Sequence, residues 1–532
     1  MQIKQIILTI ITAIGLVACQ NSNLSHPQDT LRVDLAGDIN TFDPQTIVDF
    51  NSFRVLSDLN EGIIDMDQSN RPKAGMAESW TISSDGKTYL FKLRPDLHFS
   101  DGTTLTAKDF VYSWQRLINP KTGGYSFIID HVKNAKQIIA GKLNPNQLGV
   151  FAVTNTLLKV ELDAPDPAFL AKLTAVFSTA VPRHVIEQYG ESWTSPQHLV
   201  TNGAYKLDQH IVNGEIKLTK NQDFYQANQV TIPKLVFIPY TDRNAALAAY
   251  KSGDLDIVTG VPIDQYRSIQ SEFNNQLHTV KMEGMAFYSL NTRLPELKSR
   301  EVRQALSMAI DREVLAKQIL GTGQTGLYSY VTPTIENARY RNLDYSWRSV
   351  TRDQQIKLAQ QLYAKAGYDK VSALKLTILY DNNDASRKVA IAIADMWKTN
   401  LGVNVTLSSQ DWKSYLQSRK TGAFVVIRNN WGAAYNMITT YTPEYQCNSE
   451  VNVSGLCLPM YDGLLSQADS EHNEDKQTAL YRKAIFVAMN EYASIPLYQN
   501  SYTMLIKPYV RGLDVESNLL EDIRSKWIQF DN

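Results

Sequence analysis

Cysteine, surplus charge and long apolar runs are all scarce in this 532-residue chain. Three cysteines leave stability to the core, and a chain of this length buries an ample one. Lys+Arg is 53 against Asp+Glu 54, a formal net charge of −1. A nucleic-acid binder usually carries a basic excess, and none is present. The one sustained apolar run, residues 6–18, is thirteen residues long, too short to cross a bilayer as a helix. Catalytic motifs are missing too. The eight histidines (26, 98, 131, 184, 198, 210, 278 and 472) form no HExxH, and there is no G-x-S-x-G elbow or P-loop. Gly321 to Gly326 spells G-x-G-x-x-G, but it follows a predicted helix rather than a strand, so it reads as a helix end and turn. Acid pairs such as Asp65/Asp67 and Glu521/Asp522 read as solvated surface. Nothing here is positive evidence of an enzyme, although a dispersed Ser-His-Asp set would leave no motif. No cofactor or metal is expected.

What is present is ordinary globular composition: 43% hydrophobic and 20% charged residues, with 27 Tyr and 8 Trp. That excludes disordered, collagen-like and polytopic membrane chains. At about 150 residues per domain, the length suits three or four domain-sized units. The surplus of Tyr and Trp suits a large binding surface with polar handles, or a large core. Lys4 followed by the run 6–18 matches an export signal. The run ends in Leu16-Val17-Ala18-Cys19, which looks like a bacterial lipobox whose Cys19 is lipidated. Residues 1–18 are then a signal peptide and 19–30 a polar tether. Of the other cysteines, Cys447 and Cys457 enclose nine residues that include Ser454-Gly455. Export permits a disulfide between them, and no further ligands lie at zinc-finger spacing.

Along the chain, 31–35 alternates like a half-buried strand, and 88–93 follows an Asp85-Gly86 turn as a hairpin strand. Residues 109–118 place Phe110, Val111, Trp114, Leu117 and Ile118 on one helical face. Residues 156–162 read as a strand, and short strands follow at 215–218, 234–238 and 256–258, with a helix at 244–252. From 300 the elements alternate: helices at 302–310, 311–320, 351–366, 385–400 and 411–419, strands at 374–380, 403–407 and 424–427. This alternation predicts α/β units.

Several stretches together resemble the extracytoplasmic solute-binding proteins for oligopeptides, the receptors of ABC importers. They are Thr41-Phe42-Asp43-Pro44, Met76-Ala77-Glu78-Ser79-Trp80, Phe99-Ser100-Asp101-Gly102-Thr103, the run from Leu105 to Arg116 and the run from Val200 to Tyr205. Val302-Arg303 to Leu306, Ile310-Asp311-Arg312, the run from Ala364 to Tyr368 and the run from Leu401 to Val405 continue them in order. The resemblance implies a two-lobed, hinged periplasmic-binding-protein fold with an additional inserted domain. Domain I would comprise 24–50, 178–283 and 496–532, domain II 51–177, and domain III 284–495. It implies a monomer held in the cell envelope by lipid on Cys19, with an ABC permease as partner and an oligopeptide as ligand. An enclosed peptide would pair its main chain with protein backbone, and water would adapt roomy side-chain pockets. Lobe closure would be a hinge motion stabilised by ligand contacts to both sides. Trp80 and Trp114 read as core anchors.

The stretch Arg428-Asn429-Asn430-Trp431-Gly432-Ala433-Ala434-Tyr435-Asn436, expected just past the strand 424–427, corresponds to a ligand-binding segment of such receptors. The resemblance aligns Arg428 and Trp431 with an Arg and a Trp of that segment. Asn430 lies between them. Ala434 stands where relatives hold the Asp that binds the peptide's α-ammonium. Leu320 replaces a Lys and Ser386 a His that receive the carboxylate of short peptides. Arg419, Trp412 and Tyr125 are kept, and Phe50 and Phe287 align near the site. Trp412, Trp431 and Tyr125 are expected as apolar walls, and Arg428 and Arg419 as carboxylate partners. A buried ammonium needs a counter-charge. Without one at 434 an atypical grip on peptide termini is expected, with Asp49 and Asp411 as candidate replacements. Alternatives are a receptor for another solute (cell-wall or antimicrobial peptide, haem, nickel complex), a surface chaperone or adhesin, and an exported hydrolase.

Overall fold

The computed structural model describes residues 29–531 apart from 48, 125, 370, 448 and 450. The leader, Cys19, nearly all of the tether, and Tyr125 therefore lie outside the described residues.

The segments with clear patterning form as their chemistry dictates. Ala107–Ile118 is a helix because Thr106 and Asp109 cap each other's backbone N–H groups and Phe110, Trp114, Leu117 and Ile118 share a buried stripe; Val111 lies at its margin. Trp114 is fully buried and donates its indole N–H to the Ser178 carbonyl at 2.8 Å. Arg243–Ser252 starts at the Asp242 cap and stops at Gly253, whose φ of 91° needs glycine. Arg352–Lys365, Asp384–Leu401 and Trp412–Thr421 are helices between the strands Lys375–Asp381, Asn404–Gln410 and Val426–Gly432. The Gly321 to Gly326 motif is a helix end: Gly321 caps the turn 315–320 at φ 69°, and Thr325–Gly326 is a short strand.

Among the described residues, eleven strands form one continuous sheet. Asn404–Gln410, Lys375–Asp381 and Val426–Gly432 stand at one end. Ile257–Thr259, Thr30–Leu35, Lys234–Pro239, Ile216–Lys220 and Tyr205–His210 stand at the other. Two long antiparallel strands, Leu277–Leu290 and Ser494–Ile506, join the halves. Their pairing slips between Lys281 and Met285. The core divides at the same place. Val280, Tyr502 and Met504 pack with the first half, whereas Met285, Ala286, Leu497 and Tyr498 pack with the second. A separate sheet of four strands, Ala77–Ile82, Thr88–Leu93, Leu157–Glu161 and Val150–Thr154, shares the first core. The architecture is α/β with two lobes.

The C-terminal segment is riveted to the first lobe. Arg524 contacts Asp65 at 2.7 Å, Lys526 reaches Glu61 at 2.7 Å, and the Ser525 N–H donates to Asp58 at 2.6 Å. Among the described residues no helix is long and apolar enough to cross a membrane.

Candidate functional site

A cleft of about 930 Å³ opens between the lobes where the two long strands cross. The first lobe contributes Phe50, Phe53, Phe127 and Phe177; the second contributes Trp431 to Tyr435. Asp49 caps the helix Phe50–Leu59, so Phe50 is its first residue and projects from the exposed first turn, 72% accessible. Phe127 is also exposed. Large apolar rings left open to water and gathered in one concavity mark a binding surface. The Trp431 indole N–H is buried with no acceptor among the described residues, so it is a free donor on the wall.

Met282 and Glu283 line the cleft from the slip in the crossing strand. The Glu283 N–H donates to the Leu519 carbonyl at 2.8 Å, and its carbonyl accepts from the Ala433 N–H at 2.7 Å. Its Oε2 accepts from the Thr332 hydroxyl, while Oε1 is buried without a donor among the described residues. Burial pushes this carboxyl up to about 7, and the hydroxyls of Thr332, Thr334 and Tyr441 only partly oppose that. Asp130, Asp462 and Asp522 also line the cleft, against Lys136. Its lining is therefore acidic.

Of the residues expected from sequence, Phe50, Trp431 and Ala434 line this cleft. Cys447 does too, joined to Cys457 in a disulfide with Cα atoms 4.4 Å apart. Others form a second group in the same lobe. Arg428 contacts Asp381 at 3.2 Å, and Ser386 donates to the same carboxylate oxygen at 2.8 Å. Trp412 is 62% exposed and stacks on Tyr415, whose hydroxyl donates to the Arg428 carbonyl. Arg419 donates to the Asn429 side chain at 3.0 Å. Asn430 accepts from Asn500 at 2.9 Å and faces solvent. Leu320 is half-buried against the second core.

Three expectations need correction. Phe287 is fully buried and packs edge-to-face on Tyr330, so it is core rather than cleft wall. The stretch from Arg428 to Gly432 does not follow a strand; it is the strand, paired with residues 284–288. Arg428 and Trp431 are an odd number of positions apart on it, which directs them to opposite faces and separates Arg428 from the cleft wall. Asp49 and Asp411 are helix caps, accepting from the N–H of Ser52 and Ser414. Glu283, one of the four acids that do line the cleft, was missed. Its signal was a single carboxylate inside the apolar run 282–288.

Among the described residues no cluster of His, Cys, Asp or Glu is disposed to hold a metal. The family model for bacterial extracellular solute-binding proteins, family 5 Middle, matches residues 71–452. The chain belongs to this family. Members are solute receptors for transporters rather than enzymes. This solute-binding protein is 35% identical to the periplasmic murein peptide-binding protein MppA of Escherichia coli, over 90% of this chain and 89% of that one. The solved structure of MppA matches with a TM-score of 0.83, covering 95% and 99% of the two chains at 33% identity. The solute-binding protein is also 33% identical to the probable deoxycholate-binding periplasmic protein YgiS of E. coli, over 92% of each chain. Haemophilus influenzae OppA in complex with RPPGFSPFR matches with a TM-score of 0.81 at 30% identity, covering 95% of this chain and 99% of that one.

Proposed function

We propose that this solute-binding protein is the envelope receptor of an ABC peptide importer, anchored by lipid on Cys19, which encloses oligopeptides between its lobes. The observation that carries the reading is the aromatic-walled, acidic cleft at the crossing of two strands, roomy enough for several residues. The relatives named for murein peptides and oligopeptides support the ligand class. In this reading the strand slip between Lys281 and Met285 is the hinge, and domains I, II and III run as 24–50 with 178–283 and 496–532, 51–177, and 284–495. Phe50 and Trp431 grip side chains. Arg428, Arg419, Trp412 and Ser386 serve as an outer carboxylate-receiving group, with Asn430 at its edge, and Tyr125 as a further ligand contact. The closed receptor presents its ligand, as a monomer, to the permease.

A second reading is an amphipathic non-peptide solute, favoured by the density of apolar rings and by the relative named for deoxycholate. Native mass spectrometry before and after denaturation separates the two. Adducts spread over several hundred daltons and lost on unfolding are the expected result for oligopeptides. A single discrete mass indicates one specific solute. An absence of any adduct even after incubation with a peptide digest counts against the oligopeptide reading.

A further inference from the structure

We infer that Glu283 is the residue that receives the ligand's ammonium group, taking over the work of the carboxylate that position 434 lacks. The inference rests on the peptide-receptor reading. Four observations carry it. Glu283 lines the interlobe cleft together with Ala433 and Ala434. Its backbone is hydrogen-bonded to Ala433, the residue next to the substituted position. Its Oε1 is a buried acceptor without a donor among the described residues, and a desolvated lone pair of this kind is satisfied when a cationic N–H group arrives. Among the described residues no cation is paired with it, in contrast to Asp522, which Arg524 neutralises at 3.3 Å.

The surroundings of Glu283 suit such a role. Thr332 donates to Oε2, and Tyr441 in turn contacts the Thr332 hydroxyl at 3.1 Å, so the carboxylate is oriented from the second lobe. Gln499 on the partner strand turns its amide N–H toward Met282 and Thr334, and its own Oε1 has no donor among the described residues. An ammonium has three N–H donors, and these two oxygens are buried acceptors close to the crossing point. Asp462 also carries a buried Oδ1 without a donor, but it stands on the helix Pro459–Ser470 beside the disulfide rather than beside Ala434. Because Glu283 sits at the slip between the lobes, an ion pair there would couple ligand capture to the hinge.

The groups that act on Glu283 are the hydroxyls of Thr332, Thr334 and Tyr441; the other charges of the cleft are Asp130, Lys136, Asp462 and Asp522. With its carboxyl held near 7, capture of an ammonium requires deprotonation first. Apparent affinity for free peptides should then fall by up to about tenfold per pH unit below 7, and fall again above about 8, where the α-ammonium itself loses its proton.

The test uses the purified protein and a random tripeptide mixture free of Lys and Arg, half of it Nα-acetylated, read by native mass spectrometry at pH 7.5, between the titration of Glu283 and that of the α-ammonium. The unaltered protein should favour free over acetylated peptides by about tenfold or more. Glu283→Gln should capture both forms alike and lose the pH dependence, while Asp264→Asn, at an exposed acid outside the cleft, keeps the preference. Adding Ala434→Asp to Glu283→Gln should restore it, which separates lost recognition from lost folding. Acetylated peptides carrying one Lys distinguish the source of the ammonium: their capture by the unaltered protein but not by Glu283→Gln assigns the same carboxylate to a side-chain cation. A preference that survives Glu283→Gln, or one abolished by Asp462→Asn alone, overturns the inference while leaving the receptor reading intact. Equal capture of both forms by the unaltered protein does the same. Failure of the unaltered protein to capture any peptide overturns the receptor reading and the inference with it.

Discussion

Glu283 and Glu444 are buried carboxyls without a paired cation among the described residues, and each disfavours the folded state once ionised. Burial pushes Glu444 up to about 8, with Arg419 and the hydroxyls of Ser494, Ser289 and Tyr330 offsetting part of the rise. Glu283 lies near 7. Both folded values exceed the ordinary 4.5, so the folded state holds more protons than the unfolded one between about pH 4.5 and 8. Stability contributed by these groups is therefore complete at the acid side of that window and lost as pH rises. The slope approaches about 1.4 kcal/mol per pH unit for each group. Asp65 and Asp166 behave oppositely. Burial raises them, but Lys526, Arg524 and Lys73 outweigh it for Asp65, as His131 and Lys172 do for Asp166. Their contribution is present above the ordinary 3.8 and is lost only in stronger acid. Urea unfolding of the ligand-free protein should show a higher midpoint at pH 5.5 than at pH 8, and Glu444→Gln should flatten the difference. A midpoint that rises from pH 5.5 to 8 would contradict the assignment.

The crossing strands are the element on which both fold and site depend. Gly284 lies opposite Gly432, and a Cβ there would approach the Trp431 carbonyl to 2.7 Å. Backbone cannot yield as a flexible side chain does, so Gly284→Val should cost about 1–3 kcal/mol by overpacking. It should also displace Trp431 and weaken peptide capture, whereas Gly463→Val, with nothing within 4 Å of its Cβ among the described residues, should leave capture unchanged. The disulfide is a second element-scale device. Cys447 and Cys457 close a loop on the cleft rim, and replacing both by Ser should lower stability by about 2–3 kcal/mol, read as a shift in the urea midpoint. These elements also show what sequence could and could not reveal. Helices such as Arg352–Lys365 and strands such as Thr88–Leu93 were legible because capping residues, glycine stops and alternation report local structure. Leu277–Leu290 was not. Its inner half is buried on both faces, which erases the alternation that marks a strand. Residues 428–432 read as a loop because of their two Asn and a Gly, yet the ladder to 284–288 holds them extended. Burial on both faces likewise hid Phe287 in the core, and the same long-range pairing brought Glu283 beside Ala433, a contact no local pattern reports.

At the scale of the whole molecule, the lobes touch across the cleft at a small contact that can govern how readily they part. Tyr435 of the second lobe packs on Ala168 and Ala171 of the first, with the Lys172 ammonium 6.0 Å from its ring centroid. Lys172 is held on its own lobe by Asp166 at 2.9 Å, and His131 contacts that carboxylate at 3.0 Å. The contact thus combines apolar packing with a cation that is already neutralised, which avoids leaving a buried charge unpaired when the lobes separate. It is far smaller than the two cores it joins, so its loss should shift the open–closed balance without unfolding either lobe. A change of about 1.4 kcal/mol moves that balance tenfold. Tyr435→Ala should therefore raise the radius of gyration of the ligand-free protein in small-angle X-ray scattering and speed peptide release, while saturating peptide returns the scattering to that of the unaltered protein. Lys172→Met is the informative companion. Removing the cation strips Asp166 of a partner inside the first lobe, so it should lower stability on urea unfolding and disturb the scattering less than Tyr435→Ala does. Identical scattering for Tyr435→Ala and the unaltered protein would mean that the crossing strands alone set the angle between the lobes. The reverse order of the two variants would make the contact electrostatic rather than apolar.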